Sequence, residues 1–192
     1  MTNFTSLSHP ELESWMNRVR DRSIAGYEFA EAIAAVSHNL FNHAMQQVPS
    51  GSRPYPVVLL RAGAGMLAGI YGDEVDEAGF IGVMRNEADA VSTIIYQAVQ
   101  GHLGDRPVFV LDPALATGGS MSRSVSLLKE RYGALNIWAL CIIAAPEGIK
   151  RMNDEHPDVT IVVAAVDECL DSQFYIVPGF GDAGDRLFGV KG

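Results

Sequence analysis

The sequence VFVLDPALATGGSMSRSVSLL, residues 108–128, predicts a strand, a loop and a helix in succession. Its first four residues are apolar and indicate a short buried strand. The strand ends at Asp112 and Pro113, because proline cannot donate a hydrogen bond to a neighbouring strand. Small and hydroxyl-bearing residues follow, and Val125 and Leu128 then share one side of a helix. We therefore expect this βα unit to lie at the centre of the fold.

The loop of this unit has the features of a phosphate-binding site. The start of a helix directs backbone N–H groups and the positive end of its dipole at one point, and glycines let the backbone approach a ligand closely. Thr117 and Ser120 add hydroxyl donors, whereas Asp112 at the rim can accept from sugar hydroxyls or hold Mg²⁺. The predicted ligand is a phosphorylated sugar. The loop lacks the lysine of G-x-x-x-x-G-K-[ST], which excludes an ATP loop of that type.

Composition favours a single soluble domain over residues 1–192, with 48% hydrophobic and 19% charged residues. The net charge of −9 argues against a general affinity for nucleic acid or for anionic membranes, because both are bound through excess lysine and arginine. Phosphate binding is therefore expected to be local, through a few arginines, loop amides and a metal ion.

The two cysteines and the N-terminal sequence bear on the compartment. Cys141 lies in an apolar run and Cys169 in an acidic stretch, with no C-x-x-C pair and no metal-ligand spacing, so both are expected to be reduced thiols. The first residues lack a basic start followed by an apolar run, and no window is apolar enough to cross a bilayer. A cytoplasmic location is the resulting expectation.

In the rest of the chain, segments with the apolar pattern of a strand alternate with segments that have the apolar pattern of a helix. Apolar runs predict further strands over residues 57–60, 80–84, 91–96, 137–144 and 160–166. Helices are predicted over residues 8–20, with Ser8 as a possible cap, over about 27–45, from the central loop to about 132, and from 145 to 155. Residues 48–56 are predicted to be a loop. The fold class is α/β, a mostly parallel sheet flanked by helices, with the loops after Leu60, Met84 and Leu111 at one edge.

A second anion site is suggested by Arg61, which follows a predicted strand and precedes the sequence Ala-Gly-Ala-Gly. An arginine at the end of a parallel strand, next to glycine amides, suits a phosphate group. Taken alone, the stretch is equally consistent with a ligand loop and with a tight turn.

The C-terminal sequence YIVPGFGDAGDRLFG, residues 175–189, is glycine-rich and is called the hood below. Its interleaved apolar residues, Tyr175, Ile176, Pro178, Phe180 and Phe188, indicate that the segment packs. Its glycines would then present backbone N–H and C=O groups to a flat heterocycle. Taken alone, Asp182 is more typical of a turn aspartate, which is the commoner role of the aspartate in Gly-Asp-Ala.

The sequence DPALATGGS, residues 112–120, resembles the 5-phosphoribosyl-1-pyrophosphate (PRPP) loop of the phosphoribosyltransferases, and its Asp-Pro start is the form of the uracil phosphoribosyltransferases. Four further strings are similar to that family: Arg-Ala-Gly from Arg61, Arg-Asn-Glu from Arg85, AAPEGI and HPDV. The hood also matches. The resemblance implies a phosphoribosyltransferase-type fold with a C-terminal hood over the site.

The resemblance further implies that uracil and PRPP give UMP and pyrophosphate, with Mg²⁺ bound through PRPP and with Asp182 as a candidate ligand of the metal. It gives Arg61, Arg85, Asp112 and Asp182 catalytic roles. The implied PRPP-binding residues are Arg61, Arg85, Asp112, Pro113, Ala114, Leu115, Ala116, Thr117, Gly118, Gly119, Ser120 and Asp182. The implied uracil-binding residues are Ile176, Gly181, Asp182 and Ala183.

The chain departs from the family pattern at residues 26–30 (GYEFA), at Ala98 where a lysine is expected, and before Val57, where a longer β arm used in subunit contacts is missing. These departures keep a second hypothesis open, a non-catalytic paralogue that binds PRPP or UMP as a sensor or partner subunit. An RNA-binding regulator is a third, which the negative charge disfavours. The expected assembly is a homodimer.

Overall fold

The computed structural model describes residues 3–72, 75–85 and 92–189 and, for Arg85, the backbone alone. Asn86, Glu87 and Val91, which the sequence analysis used, lie outside the described residues. The helices are α1 Pro10–Arg20, α2 Gly26–Met45, α3 Ala64–Leu67, α4 Gly119–Tyr132, α5 Pro146–Glu155 and α6 Ala183–Phe188. The strands are β1 Phe4–Ser6, β2 Tyr55–Leu60, β3 Gly79–Arg85, β4 Ser92–Ala98, β5 Pro107–Leu111, β6 Ala114–Leu115, β7 Asn136–Ala144, β8 Thr160–Val166, β9 Cys169–Leu170 and β10 Ile176–Val177.

Eight of these strands form one sheet in the order β1-β8-β7-β5-β2-β3-β4, with β6 paired to β7. All pairings in it are parallel except that between β3 and β4. Strands β9 and β10 form a separate antiparallel hairpin. The prediction of an α/β fold with a mostly parallel sheet flanked by helices is confirmed.

The residues of the central strand β5 form a continuous apolar run because both faces of the strand are buried. Phe109 and Leu111 pack into the core on the side of α1 and α2, whereas Val108 and Val110 pack into a second core on the side of α4 and α5. All four are fully buried. A parallel strand covered by helices on both faces has no polar face to expose, so it reads as a continuous apolar run.

The strand order places a crevice at the carboxyl ends of β2 and β5. These strands are neighbours in the sheet, yet the chain leaves β2 toward β3 on one side and leaves β5 toward β7 on the other. The loops that follow Leu60 and Leu111 therefore diverge. In open parallel sheets a ligand binds at such a topological switch point.

Several predicted boundaries were wrong. Helix α1 begins at Pro10, and its cap is His9, whose Nδ1 accepts from the Leu12 N–H, instead of Ser8. Strand β2 begins at Tyr55, inside the predicted loop over 48–56. Pro56 is tolerated there because pairing with β3 starts only at Val57.

The hood was predicted without regular structure, but it contains β10 and α6. The Asp182 carboxylate caps α6 by accepting from the Asp185 N–H. Of the apolar residues expected to pack, Ile176 and Phe180 are buried, whereas Tyr175 and Phe188 are about half exposed. The hood is therefore anchored by fewer apolar side chains than the sequence suggested.

Charged side chains complete the anchoring of the hood. The Asp167 carboxylate, after β8, accepts two hydrogen bonds from the Arg20 guanidinium and one from the Gly179 N–H, at distances from 2.5 to 3.0 Å. The Arg20 guanidinium also donates to the Gly179 carbonyl at 3.2 Å. Helix α1, the sheet and the hood thus meet at one ion pair.

Replacement of Arg20 by alanine is expected to lower the free energy of unfolding by about 3 kcal/mol, because the Asp167 carboxylate would remain buried without its partner. The side chain of Asp167 is only 2% exposed. The matched control is Arg18→Ala on the same helix. Its pair with Glu31 is solvent-exposed, so a loss below about 1 kcal/mol is expected. Urea unfolding measures both, and equal losses would contradict the role of Arg20.

Candidate active site

The predicted phosphate loop lies at the carboxyl end of β5, where the crevice was located. Residues 114–115 pair briefly with β7 as strand β6, which directs the chain back over the sheet. Gly118 then takes a left-handed conformation with φ +75° and caps α4, which begins at Gly119. The first N–H groups of a helix lack helical partners. The loop therefore presents amide donors and a positive dipole end at one point.

A small cavity of about 80 Å³, which we call the loop cavity, opens on this turn. Its lining residues are Asp112, Ala114, Leu115, Ala116, Thr117, Gly118, Gly119, Ser120 and Met121. All but Met121 belong to the predicted PRPP-binding set. Pro113 is the member of residues 112–120 that does not line it, because its ring is buried and its carbonyl accepts from the N–H groups of Ile142 and Ile143.

A larger cavity of about 280 Å³ lies between this loop and the hood, and we call it the hood cavity. Its lining residues are Ala62, Asp112, Ala114, Ala116, Ser120, Ile143, Phe174, Tyr175, Ile176, Gly179, Phe180, Gly181, Asp182, Ala183 and Gly184. Four of them, Asp112, Ala114, Ala116 and Ser120, also line the loop cavity. The two cavities are therefore parts of one site.

Glycines permit this close approach of neighbouring loops. A Cβ atom at Gly148 of α5 would lie 2.5 Å from the Ala116 carbonyl oxygen and 2.7 Å from that of Leu115. A Cβ at Gly63 would lie 2.4 Å from the Leu111 carbonyl oxygen. The backbone of α5 thus packs against the loop, and Gly63 packs against the end of β5 from which the loop starts.

Asp112 is the ionisable group at the junction of the two cavities. Burial raises the pKa of its carboxyl group to about 7, and a long hydrogen bond from the Ala114 N–H, at 3.5 Å, opposes that rise. Burial also raises the pKa of the Cys141 thiol well above its usual value, and the nearby charge of Asp112 adds to the rise. Asp112 therefore titrates near neutral pH, next to a thiol that stays protonated.

Arg61 lies beside the hood and lines neither cavity. Its guanidinium is half exposed and 3.6 Å from the Asp185 carboxylate. A Cβ at Gly184, which lines the hood cavity, would lie 3.8 Å from Arg61 Nη2. The four predicted uracil-binding residues, Ile176, Gly181, Asp182 and Ala183, all line the hood cavity. The side chain of Arg85 lies outside the described part of the chain.

The structure adds residues that the sequence did not single out. Phe174 and Tyr175 line the hood cavity. Ser92 of β4 places its hydroxyl 3.4 Å from that of Ser120. The Arg151 guanidinium would lie 3.1 Å from a Cβ at Gly119, and its Nε donates to the Glu155 carboxylate at 2.9 Å. The sequence around Arg151 is that of an ordinary helix surface, so it does not indicate that this arginine lies beside the loop.

Neither a metal centre nor a membrane-spanning helix is found among the described residues. No group of three or more His, Cys, Asp and Glu side chains gathers there as a metal centre would. In residues 3–72, 75–85 and 92–189, no helix has the length and apolar character needed to cross a membrane.

A mostly parallel sheet with the predicted phosphate loop at its switch point and a hood beside an adjoining cavity is the arrangement of the phosphoribosyltransferase class. Solved structures of that class share the fold at low sequence identity. Adenine phosphoribosyltransferase from Trypanosoma brucei has a TM-score of 0.57 at 14% identity, covering 91% of each chain. A hypoxanthine phosphoribosyltransferase from Staphylococcus aureus has a TM-score of 0.54 at 13% identity, covering 81% of this chain and 85% of its own.

Within that class, the chain belongs to the uracil phosphoribosyltransferase family, whose family model matches residues 50–190. Uracil phosphoribosyltransferases from Clostridium tetani and Clostridium botulinum are 38% and 37% identical to it over the full length of both chains. A protein from Aquifex aeolicus of known structure has a TM-score of 0.91 at 29% identity, covering 97% of this chain and 98% of its own. The resemblance and the transferase class expected from the sequence are confirmed.

Asp112→Asn is expected to stabilise the protein above pH 7. The folded carboxyl has a pKa of about 7, whereas an unfolded aspartate has one near ~3.9. Between these values the folded state holds the extra proton, so wild-type stability falls as pH rises from about 4 to about 7. The shift corresponds to at most about 4 kcal/mol. Since Asp112 lines an open cavity that screens it, we expect roughly 2 kcal/mol.

Urea unfolding of wild type and Asp112→Asn from pH 4 to pH 8.5 measures this difference. The asparagine variant should be the more stable above pH 7, and its advantage should vanish toward pH 4. A difference that stays constant with pH would show that Asp112 does not titrate near neutrality.

Gly148→Ala is expected to weaken binding of ribose 5-phosphate at least about tenfold, because the added methyl group must displace the loop carbonyls of Leu115 and Ala116. Alanine is the better helix former, so the loss would not come from helix propensity. The control is Gly72→Ala, where a Cβ has no neighbour within 4 Å. Calorimetric titration measures both, and unchanged affinity in Gly148→Ala would contradict the tight support of the loop.

Proposed function

We propose that the chain, as a single phosphoribosyltransferase domain over residues 1–192, transfers the 5-phosphoribosyl group of PRPP to uracil and releases pyrophosphate. One observation carries the proposal: the loop cavity and the hood cavity join at Asp112, Ala114, Ala116 and Ser120. A sugar phosphate held at the loop would thereby direct its anomeric carbon toward a base held under the hood. Family membership supports the same reaction.

The 5-phosphate is assigned to residues 116–120. The amides at the start of α4 and the hydroxyls of Thr117 and Ser120 supply hydrogen-bond donors without a lysine. The remaining members of the predicted PRPP set on this loop, Ala114 and Leu115, form the wall of the loop cavity. Pro113 does not line the cavity. Its role is to fix the turn that precedes Ala114.

Asp112 is assigned to the ribose hydroxyls. As a carboxylate it accepts hydrogen bonds, and its place where the cavities meet suits a sugar that joins the phosphate at the loop to the base under the hood. The partial burial that raises its pKa also strengthens hydrogen bonds from a bound sugar, because little water competes for its oxygens. The ionised form is the one that binds.

Arg61 and Arg85 are assigned to the pyrophosphate. Displacement breaks the bond from the anomeric carbon to a pyrophosphate oxygen and forms a bond to a uracil nitrogen, whose proton passes to water or to the departing pyrophosphate. Positive charge builds on the sugar and negative charge on the leaving group, and guanidinium groups stabilise the latter. Among the described residues none is placed as a clear general base, so positioning and electrostatics supply most of the rate.

Mg²⁺ bound through PRPP would supply neutralisation of the phosphate charge, and Asp182 would be its protein ligand. The residues fit this role, since Asp112 and Asp182 both line the hood cavity and carboxylate oxygens are the ligands that Mg²⁺ prefers. Oδ1 of Asp182 already caps α6. Asp182 is therefore fixed in orientation before any ligand binds.

Uracil is assigned to the hood, at Ile176, Gly181, Asp182 and Ala183. Ile176 and Ala183 are buried and give the cavity an apolar side, while the backbone at Gly181 and Asp182 supplies polar groups. Gly181 has φ +83°, a conformation that favours glycine, and it lines the hood cavity. Such a site recognises a small base mainly through the backbone.

The direct test is turnover. Purified protein is incubated with PRPP, Mg²⁺ and labelled uracil, and nucleotide is separated by chromatography. UMP formed in proportion to protein supports the proposal. Tight PRPP binding without nucleotide from uracil would contradict it and would favour the non-catalytic alternative. A homodimer and a cytoplasmic location stay predictions.

Asp112→Asn is expected to lower kcat/KM for PRPP roughly 10- to 100-fold at pH 8, because a carboxylate acceptor becomes a neutral amide. In the wild type, kcat/KM should rise with pH through about 7 as Asp112 ionises. The variant should lose that rise.

The control for this prediction is Asp158→Asn. Its carboxylate is exposed and pairs with Lys129 at 2.7 Å, and it lines neither cavity. Steady-state rates of wild type, Asp112→Asn and Asp158→Asn are measured from pH 5.5 to pH 8.5. A pH rise that persists in Asp112→Asn would assign the titration to another group.

A further inference from the structure

Phe174, directly before the hood, has a backbone conformation that bulky residues rarely adopt. Its φ is +63°, and in the described part of the chain it is the only residue other than glycine with a positive φ. In this left-handed region the side chain crowds the backbone, so a phenylalanine there is strained.

The strain is imposed by the hairpin turn between β9 and β10. The Phe174 N–H donates to the Asp171 carbonyl at 2.9 Å, and the Asp171 N–H donates to the Tyr175 carbonyl at 2.8 Å. The Asp171 carboxylate also accepts from the N–H groups of Gln173 and Tyr175. A turn of this kind, closed by a left-handed residue, ordinarily has glycine at that position.

The side chain of this strained residue is also one of the large exposed apolar groups of the protein. Phe174 is 40% exposed and lines the hood cavity next to Tyr175 and Ile176. Backbone strain and exposure to water both disfavour a phenylalanine at this position. Strained residues of this kind persist mainly at functional positions.

We infer that the Phe174 ring is an aromatic wall of the base subsite and stacks on the pyrimidine bound under the hood. This inference rests on the proposed function, but it assigns base affinity to a side chain as well as to the backbone. An aromatic face suits any planar base, since every base offers a π-face. The wall therefore sets affinity for the base while PRPP remains held by the loop.

The experiment compares Phe174→Ala, which removes the ring, with Phe174→Gly, which removes the ring and relieves the strain. Both should raise KM for uracil roughly 5- to 30-fold, the range expected for loss of one stacked aromatic ring. KM for PRPP and kcat at saturating uracil should stay within about twofold of wild type. Phe174→Gly should also melt about 2 °C above Phe174→Ala.

The matched control is Phe188→Ala, which removes a hood phenylalanine of similar exposure that lines neither cavity. Its KM for uracil should equal that of wild type. If both Phe174 variants behave like Phe188→Ala, or if KM for PRPP rises as much as KM for uracil, the inference is overturned. Wild-type protein that forms no UMP would instead overturn the proposed function, so the two failures are distinguishable.

Discussion

The site depends on one constraint: the backbone of the phosphate loop must be open toward a ligand and closely packed everywhere else. Gly148 contacts the loop from α5, and Gly63 contacts the end of β5 from the neighbouring loop, both at distances that leave no room for a methyl group. The loop is therefore packed against α5, and the strand end from which it starts is packed against Gly63. A rigid loop keeps its amides directed at one point without reorganising when an anion binds, which is the condition for strong electrostatic binding.

Two aspartates, one after β8 and one after β5, show how hydrogen-bond partners separate a structural carboxylate from one that faces a cavity. Asp167, after β8, accepts hydrogen bonds from Arg20 and from the Gly179 N–H and is almost fully buried. Asp112, after β5, accepts from the Ala114 N–H at 3.5 Å and faces both cavities. The first carboxylate binds the hood to the sheet. The second keeps acceptor capacity for a ligand, and its raised pKa reflects that weak solvation.

The parts of this structure that follow from local sequence were predictable. The apolar runs of β5, β7 and β8 report burial on both faces, and the small residues at 116–120 report close backbone approach. The parts that depend on distant partners were not. Pro56 argues against a strand until its pairing with β3 is known to start one residue later. The ion pair of Arg20 with Asp167 joins residues 147 positions apart. Phe174 resembles any other aromatic residue until the turn fixes its φ.

The N-terminal helices belong to the site through the hood. The Arg186 guanidinium donates to the carbonyls of Val19, Ile24 and Phe180 and lies 3.7 Å from the centre of the Phe29 ring. Phe29 is fully buried, and its ring centroid is 6.0 Å from that of Phe180, a cavity-lining residue. The first turn of α2 therefore packs where the hood is held, next to the hood cavity.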